Sequence, residues 1–453
     1  MVEEHQLMKF SIQAKVAGGR ARAGIIETSH GLIETPAFIP VATKATIKSL
    51  TPELVRDAVG AQAVLANTYH LYLQPGTEIL EKAGGLGKFM NWSKPTFTDS
   101  GGFQAFSLGS NGLGRKSKIN KEGGSRRPEG RSGGAKEEAG RSATDNDISE
   151  QIPMAVVSED GVAFKSIMDG SSHMFTPERS IEIQHSIGAD IIFAFDECLL
   201  PAESYERQKA AVERTTRWAK RCLNFHARAG RTSTSAETFG GRRGREVDAA
   251  TAVADVGSAE VLGLPALFGI VQGGRHEDLR RLSAQQISAM DFDGFGIGGS
   301  FDKEDIGTAV GWVSDELPEG KPRHLLGIGS EPADLILGIE NGMDTFDCVA
   351  PARIARNGAA YVSSDGKGKS TINLTNAEFV SDFSPLDRSC KCYTCTNYTR
   401  AYLSHLFRAK EMLAATLVTI HNLYFVVNLV KQAREAIIDG KFPQFKEKFF
   451  QSR

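Results

Sequence analysis

Five short apolar runs in this chain end on a side chain able to do chemistry: Asn67, Asp99, Asp196, Gln272 and Asp347. In a closed parallel sheet the carboxyl ends of all strands open on one face, so such residues meet at a single mouth. One strand-end Asp alone would be a helix cap or a turn former. Three, followed by Ser-Gly-Gly, Glu-Cys and Cys-Val and converging with an amide on one face, are harder to explain as caps and mark that face as the place for chemistry. Glycine-rich turns lie beside them at 99–104 (DSGGFQ), 272–274 (QGG) and 296–300 (GIGGS), where backbone N–H groups can approach a flat ligand closely. None of these turns matches a Walker loop.

A second constellation is Cys390, Cys392 and Cys395 with His421. Three thiolates and an imidazole make a closed tetrahedral Zn2+ site, and with no position left for water the metal is structural. The remaining three of the six cysteines, Cys198, Cys222 and Cys348, are scattered and read as small buried hydrophobes. This is metal spacing rather than disulfide spacing, which suits a cytoplasmic protein. A third signal is charge. From Arg353 to Lys410 nine Lys/Arg face four acids, in a chain whose net charge is −2. The default meaning is a solvated face; the sharper one is a surface that tracks phosphates beside the mouth.

Positioning these groups requires eight strands, and eight runs qualify: 36–41, 63–67, 95–99, 190–196, 266–272, 294–298, 324–329 and 343–347. Amphipathic stretches such as 177–188 and 206–225 lie between most of them. Alternation of buried strand and helix argues an α/β fold, an irregular (β/α)8 barrel; a doubly wound open sheet is the alternative. The first 35 residues alternate around Gly18 and Gly19 and predict an antiparallel cap on one barrel end. Residues 111–150 hold eight Gly, nine Lys/Arg, seven Asp/Glu and no aromatic, too little apolar surface to offset ordering, and predict a disordered insertion. Residues 229–262 predict a second, loop-like insertion. The expected division is a catalytic barrel over 1–384 and a helical zinc-binding subdomain over 385–453.

Composition agrees. The 453 residues are 41% hydrophobic, 24% charged and 8% aromatic, and 53 Lys+Arg nearly balance 55 Asp+Glu. That excludes a polybasic nucleic-acid coat, so any RNA contact is local. An unbroken apolar run of about 18 residues is absent and the N-terminus lacks a signal-peptide pattern, so no membrane association is expected.

Taken together, TDSGGFQ (98–104), LANTYHL (65–71), FKSIMDGSSHMFTPERSIEIQ (164–184), FAFDEC (193–198), FGIVQGG (268–274), DTFDCVAPARIARNG (344–358) and the zinc set resemble the queuine tRNA-ribosyltransferase family, the tRNA-guanine transglycosylases, in its bacterial form. The resemblance runs in order over residues 8–445. It implies exchange of the wobble guanine of tRNAs with a GUN anticodon for a free 7-deazaguanine (preQ1 or queuine), and a homodimer packed near the zinc region. It further implies that Asp347 is the nucleophile on ribose C1′ and Asp99 the general acid/base. Asp196, Gln272 and the Gly299 N–H would bind the base edge, Phe103 and Leu326 its faces, and Arg353 and Arg356 the anticodon loop. Cys390, Cys392, Cys395 and His421 would hold the zinc. Residues 298–304 (GGSFDKE) depart from the family's usual GGLAVGE, which leaves the preferred deazaguanine open, and Ser330 stands where a Lys is common. Two other readings compete: a retaining glycoside hydrolase, which needs neither zinc nor a basic segment, and a non-catalytic RNA-binding partner subunit of the same family, which would be expected to lack one of the two carboxylates.

Overall fold

At the N-terminus, β1 (Lys9–Lys15), β2 (Arg22–Thr28) and β3 (Gly31–Thr35) pair antiparallel, as the alternation predicts. Gly18 takes a left-handed φ of +69° in the turn between β1 and β2, a conformation that costs glycine little. The computed structural model describes residues 8–109, 155–166, 168–236, 264–299, 305–363 and 370–451; for 106–109 and 230–236 it describes the backbone alone.

Eight parallel strands follow the cap. They are β4 (Ala37–Pro40), β5 (Val64–Ala66) and β6 (Thr96–Thr98); then, after a small antiparallel sheet of β7 (Ala155–Val157), β8 (Val162–Lys165) and β9 (Ser172–Phe175), come β10 (Ile191–Phe193), β11 (Ala266–Val271), β12 (Gly294–Ile297), β13 (Arg323–Leu325) and β14 (Thr345–Cys348). The order around the sheet is β4-β14-β13-β12-β11-β10-β6-β5, which is chain order. The seam between β4 and β5 closes through a single parallel bridge, Val41 to Leu65, with Ala42 N–H donating to Leu65 O at 2.7 Å. Every strand expected from the sequence is present, and the architecture is a (β/α)8 barrel rather than an open sheet.

Ile39, Phe97, Ile191 and Phe268 fill the interior, and Met8, Ile26 and Ile33 of the N-terminal segment join the same buried cluster. The cap therefore closes the end of the barrel opposite the strands' carboxyl termini. Arg22 pins it there: its guanidinium donates to both carboxylate oxygens of Asp344, at 3.0 and 2.6 Å, with both side chains buried. Removing one partner would leave an uncompensated buried charge at a cost of about 3–5 kcal/mol.

The helix Pro177–Ile187 shows how local sequence sets an element. Thr176 caps it by accepting from Arg179 N–H, Pro177 opens the first turn, and Gly188 ends it at φ 72°. The helix Tyr205–Ala236 runs past 229, so the first residues of the expected 229–262 insertion continue a helix. The rest of that segment, and all of 111–150, lie outside the described residues.

A second buried core begins at Ala355 and includes Val362, Ile372, Leu386, Cys392, Cys395 and Leu403. It thus draws on the β15 (Ala359–Tyr361) and β16 (Thr371–Asn373) hairpin as well as on residues after 385. The helix Met412–Ile438 is long and apolar enough, by length and composition, to cross a membrane, although polar residues interrupt its apolar run. It is a core helix here. Ile420, Val426 and Val430 are buried in the main core, and Arg434 is buried with its Nη1 donating to Gly24 O at 2.9 Å. The helix after β14 spans only Ala350–Ala355; Met412–Ile438 packs over it and over β4, covering that flank of the barrel.

Candidate active site

All five strand-end residues lie at the carboxyl ends of parallel strands, on one face of the barrel. Asp99 follows β6. Its Oδ1 accepts from Thr68 N–H at 2.9 Å, and its Oδ2 accepts from the Asn67 amide. The Thr68 hydroxyl donates to the Asp99 carbonyl, which fixes the turn. Solvent reaches part of the Asp99 side chain, but protein encloses it closely enough to push the carboxyl from its usual 3.8 up to about 7. Burial is the main cause. The charge of Asp347 adds to it, while the Thr68 and Gly101 N–H groups and Asn67 pull the other way. The two carboxylates are therefore close enough to feel each other.

Asp347 lies within β14. Its Oδ1 accepts from Gly327 N–H at 2.8 Å and meets His324 Nε2 at 3.1 Å. His324 is fully buried, stacked obliquely near Phe97 and Phe193, and its Nδ1 meets the Thr345 hydroxyl at 2.8 Å. With Nδ1 accepting from Thr345, Nε2–H donates to Asp347. Both side-chain hydrogen bonds of Asp347 among the described residues fall on Oδ1.

Asp196, after β10, and Gln272, after β11, form one wall. Gln272 Nε2 donates to Asp196 Oδ2 at 2.5 Å, and the Ser100 hydroxyl donates to Oδ1 at 3.1 Å. Gln272 N–H donates to Ser283 Oγ at 3.0 Å, tying β11 to the helix Glu277–Ser288. Gly299, at φ +86°, completes this wall: a Cβ there would sit 2.9 Å from Gln272 Oε1 and 2.8 Å from Arg280 Nη2. Phe103 lies in the first turn of the helix Gly102–Gly109, and Leu326 follows β13 with its N–H donating to Ile297 O at 3.1 Å; both are half-buried. Arg353 is exposed on the short helix that leaves β14, and Arg356, half-buried, caps that helix's C-terminus with its Nη1 donating to Ala352 O at 2.9 Å. Residues 300–304 lie outside the described residues.

His324 and Arg280 carry no signal in the sequence reading. A His inside a strand and an Arg on an amphipathic helix look ordinary, and only folding shows that each is fully buried against the mouth. Cys222 and Cys348 behave as expected: burial pushes both thiols up to about 12.

The metal-ligand set lies apart, in the second core. One ligand atom from each of Cys390, Cys392, Cys395 and His421 falls within 4.8 Å of all the others. His421 presents Nδ1 to the sulfurs of Cys395 and Cys392, at 3.3 and 3.5 Å, while its Nε2 donates to Tyr361 O at 2.7 Å. That outer hydrogen bond fixes the tautomer a metal requires. Tetrahedral zinc with Zn–S near 2.3 Å separates its sulfurs by about 3.8 Å, so the cluster can hold a metal ion of that size.

A family model for queuine tRNA-ribosyltransferase matches residues 17–130 and 142–453. The queuine tRNA-ribosyltransferase of Caldanaerobacter subterraneus subsp. tengcongensis is 43% identical over 445 residues, covering 98% of this chain and 96% of that one. Those of a Roseiflexus species and of Fusobacterium nucleatum subsp. nucleatum are 44% identical over 437 residues and 39% over 451. They cover 96% and 98% of this chain, and 97% and 99% of their own. With the barrel, its mouth of carboxylates and the Cys3His cluster in place, the chain belongs to the queuine tRNA-ribosyltransferase family of transferases.

Proposed function

We propose that this protein exchanges the wobble guanine of tRNAs with a GUN anticodon for a 7-deazaguanine, through a covalent ribosyl–aspartate on Asp347. The observation that carries the reading is the unlike environment of the two neighbouring carboxyls. Asp99 is pushed up to about 7, and Asp347 is held through one oxygen by Gly327 N–H and His324.

Displacing a base at an anomeric carbon passes through an oxocarbenium-like state, which a carboxylate nucleophile divides into two easier steps. Asp347 Oδ2 forms the bond to C1′ as the C1′–N9 bond breaks, and that electron pair leaves with the guanine. Asp99, protonated near neutral pH, supplies the proton. The incoming base returns one to Asp99 as its nitrogen displaces Asp347, so two inversions retain configuration. A guanine within the anticodon stack is out of reach, so the nucleotide flips into the pocket between Phe103 and Leu326. Asp196 pairs with N1–H and the amino group, and Gln272 and the Gly299 N–H with the carbonyl; adenine presents the wrong edge. Arg353 and Arg356 contact the anticodon loop.

Zinc is the metal the three-thiolate, one-imidazole set favours. It would leave no position open for water and would hold the second core together. A homodimer packed near this region is consistent with the exposure of Phe383, Tyr393, Tyr402 and Met412. Light scattering should give twice the chain mass; monomer alone at micromolar protein would remove the dimer.

Radiolabelled guanine exchange into tRNA tests the reaction. The parent labels the tRNA, and Asp347→Ala loses about 10^3-fold or more of the rate. Release of free sugar without labelling would indicate a glycoside hydrolase, and RNA binding without exchange a non-catalytic subunit.

A further inference from the structure

Arg280 lies fully buried on the helix Glu277–Ser288, behind the wall made by Gln272 and Gly299. Its Nε donates to Gly274 O at 2.8 Å and its Nη1 to Gly298 O at 2.6 Å. The guanidinium thus joins the two glycine turns that flank the base wall, one after β11 and one after β12. It stays charged at neutral pH, although burial draws it down to about 10. A charged donor polarises the carbonyl it binds more strongly than a neutral one does.

The Gly298 carbonyl and the Gly299 N–H belong to one peptide unit. A cation bound to the carbonyl oxygen withdraws electron density along that peptide and makes its N–H a stronger donor. On the reading given above, to which this inference is tied, that N–H faces the carbonyl of the exchanging base. Negative charge grows on that oxygen when the C1′–N9 bond breaks and its electrons enter the ring. We propose that Arg280 is a positioning residue that acts through the Gly298–Gly299 peptide, making it an oxyanion-type donor for the base as it leaves and arrives. The stabilisation is larger for the charged base in the transition state than for the neutral base in the ground state, so it appears in kcat. The same peptide needs glycine at 299, where a Cβ would collide with the guanidinium and with Gln272.

The test compares Arg280→Lys and Arg280→Gln with the parent in guanine exchange, with guanine Kd and melting temperature measured alongside. Gln keeps a neutral donor and loses the charge; Lys keeps the charge on a single donor group. The expected result is a kcat loss of about 10^2-fold for Gln, with Kd for guanine within about threefold, and recovery of at least about tenfold by Lys. A second measurement uses 7-deazaguanines of graded ring acidity. The rate should depend more steeply on base acidity in the variants, and the Lys variant carries this test should Gln not fold. Parent-like kcat in Gln, a Kd loss as large as the kcat loss, or an unchanged acidity dependence would each overturn the proposal. If the parent labels tRNA and these results are negative, only the role of Arg280 fails. If the parent does not label tRNA, the exchange reading fails first.

Discussion

At the scale of single residues, Asp99 makes a claim that can be separated from catalysis. Folded Asp99 keeps its proton up to about 7, whereas the unfolded chain releases it near the ordinary 3.8. Between those values the native state binds more protons, so its stability falls as pH rises from about 4 through about 7. The parent should therefore lose more melting temperature between pH 5 and pH 8 than Asp99→Asn does, by about 2 °C or more. Exchange by Asp99→Asn should fall about 10^2- to 10^4-fold. Equal pH dependence in the two proteins would mean that Asp99 titrates normally. This carboxyl was legible in the sequence as a residue type at a strand end. Its proton affinity was not, because that depends on Thr68, Gly101, Asn67 and Asp347, which only the fold brings around it.

At the scale of elements, the two glycine turns beyond β11 and β12 and the helix Glu277–Ser288 work as one wall, since Ser283 and Arg280 on that helix hold both turns. The cysteine loop is a similar case. Cys392 caps the short helix Tyr393–Asn397 by accepting from Cys395 N–H at 3.3 Å, and Thr394 donates its hydroxyl proton to Leu417 O. The loop and the helix Met412–Ile438 are thus joined both by the ligand set and by ordinary hydrogen bonds. Metal analysis of the purified protein should find one zinc per chain. Chelation or Cys395→Ala should release it and lower the melting temperature. A metal-free protein with unchanged melting would exclude a structural role. The ligand spacing was plain in the sequence because three of the four ligands lie within six positions. The length of Met412–Ile438 as a core helix was harder to see, since polar residues such as His421, Asn422 and Arg434 interrupt its apolar run and are themselves buried.

At the scale of the whole molecule, near-neutral net charge requires any RNA recognition to come from a local patch, and the proposed one is the basic segment 353–410 that follows β14. Arg353→Ala and Arg356→Ala should each weaken tRNA binding and reduce the slope of log affinity against log salt by about 1. A slope that did not change would place the phosphate contacts elsewhere. The amino-acid order alone determined the eight strands, the N-terminal hairpins, the residue types at the strand ends and the metal-ligand set. Each of these is a local periodicity or a short spacing, carried by neighbouring residues. Tertiary structure alone decided that Asp99 and Asp347 share a mouth, that His324 and Gly327 bind one oxygen of Asp347, and that Arg280 lies behind the wall made by Gln272 and Gly299. Those relations rest on burial and on through-space electrostatics between segments far apart in the chain, and no local pattern encodes them.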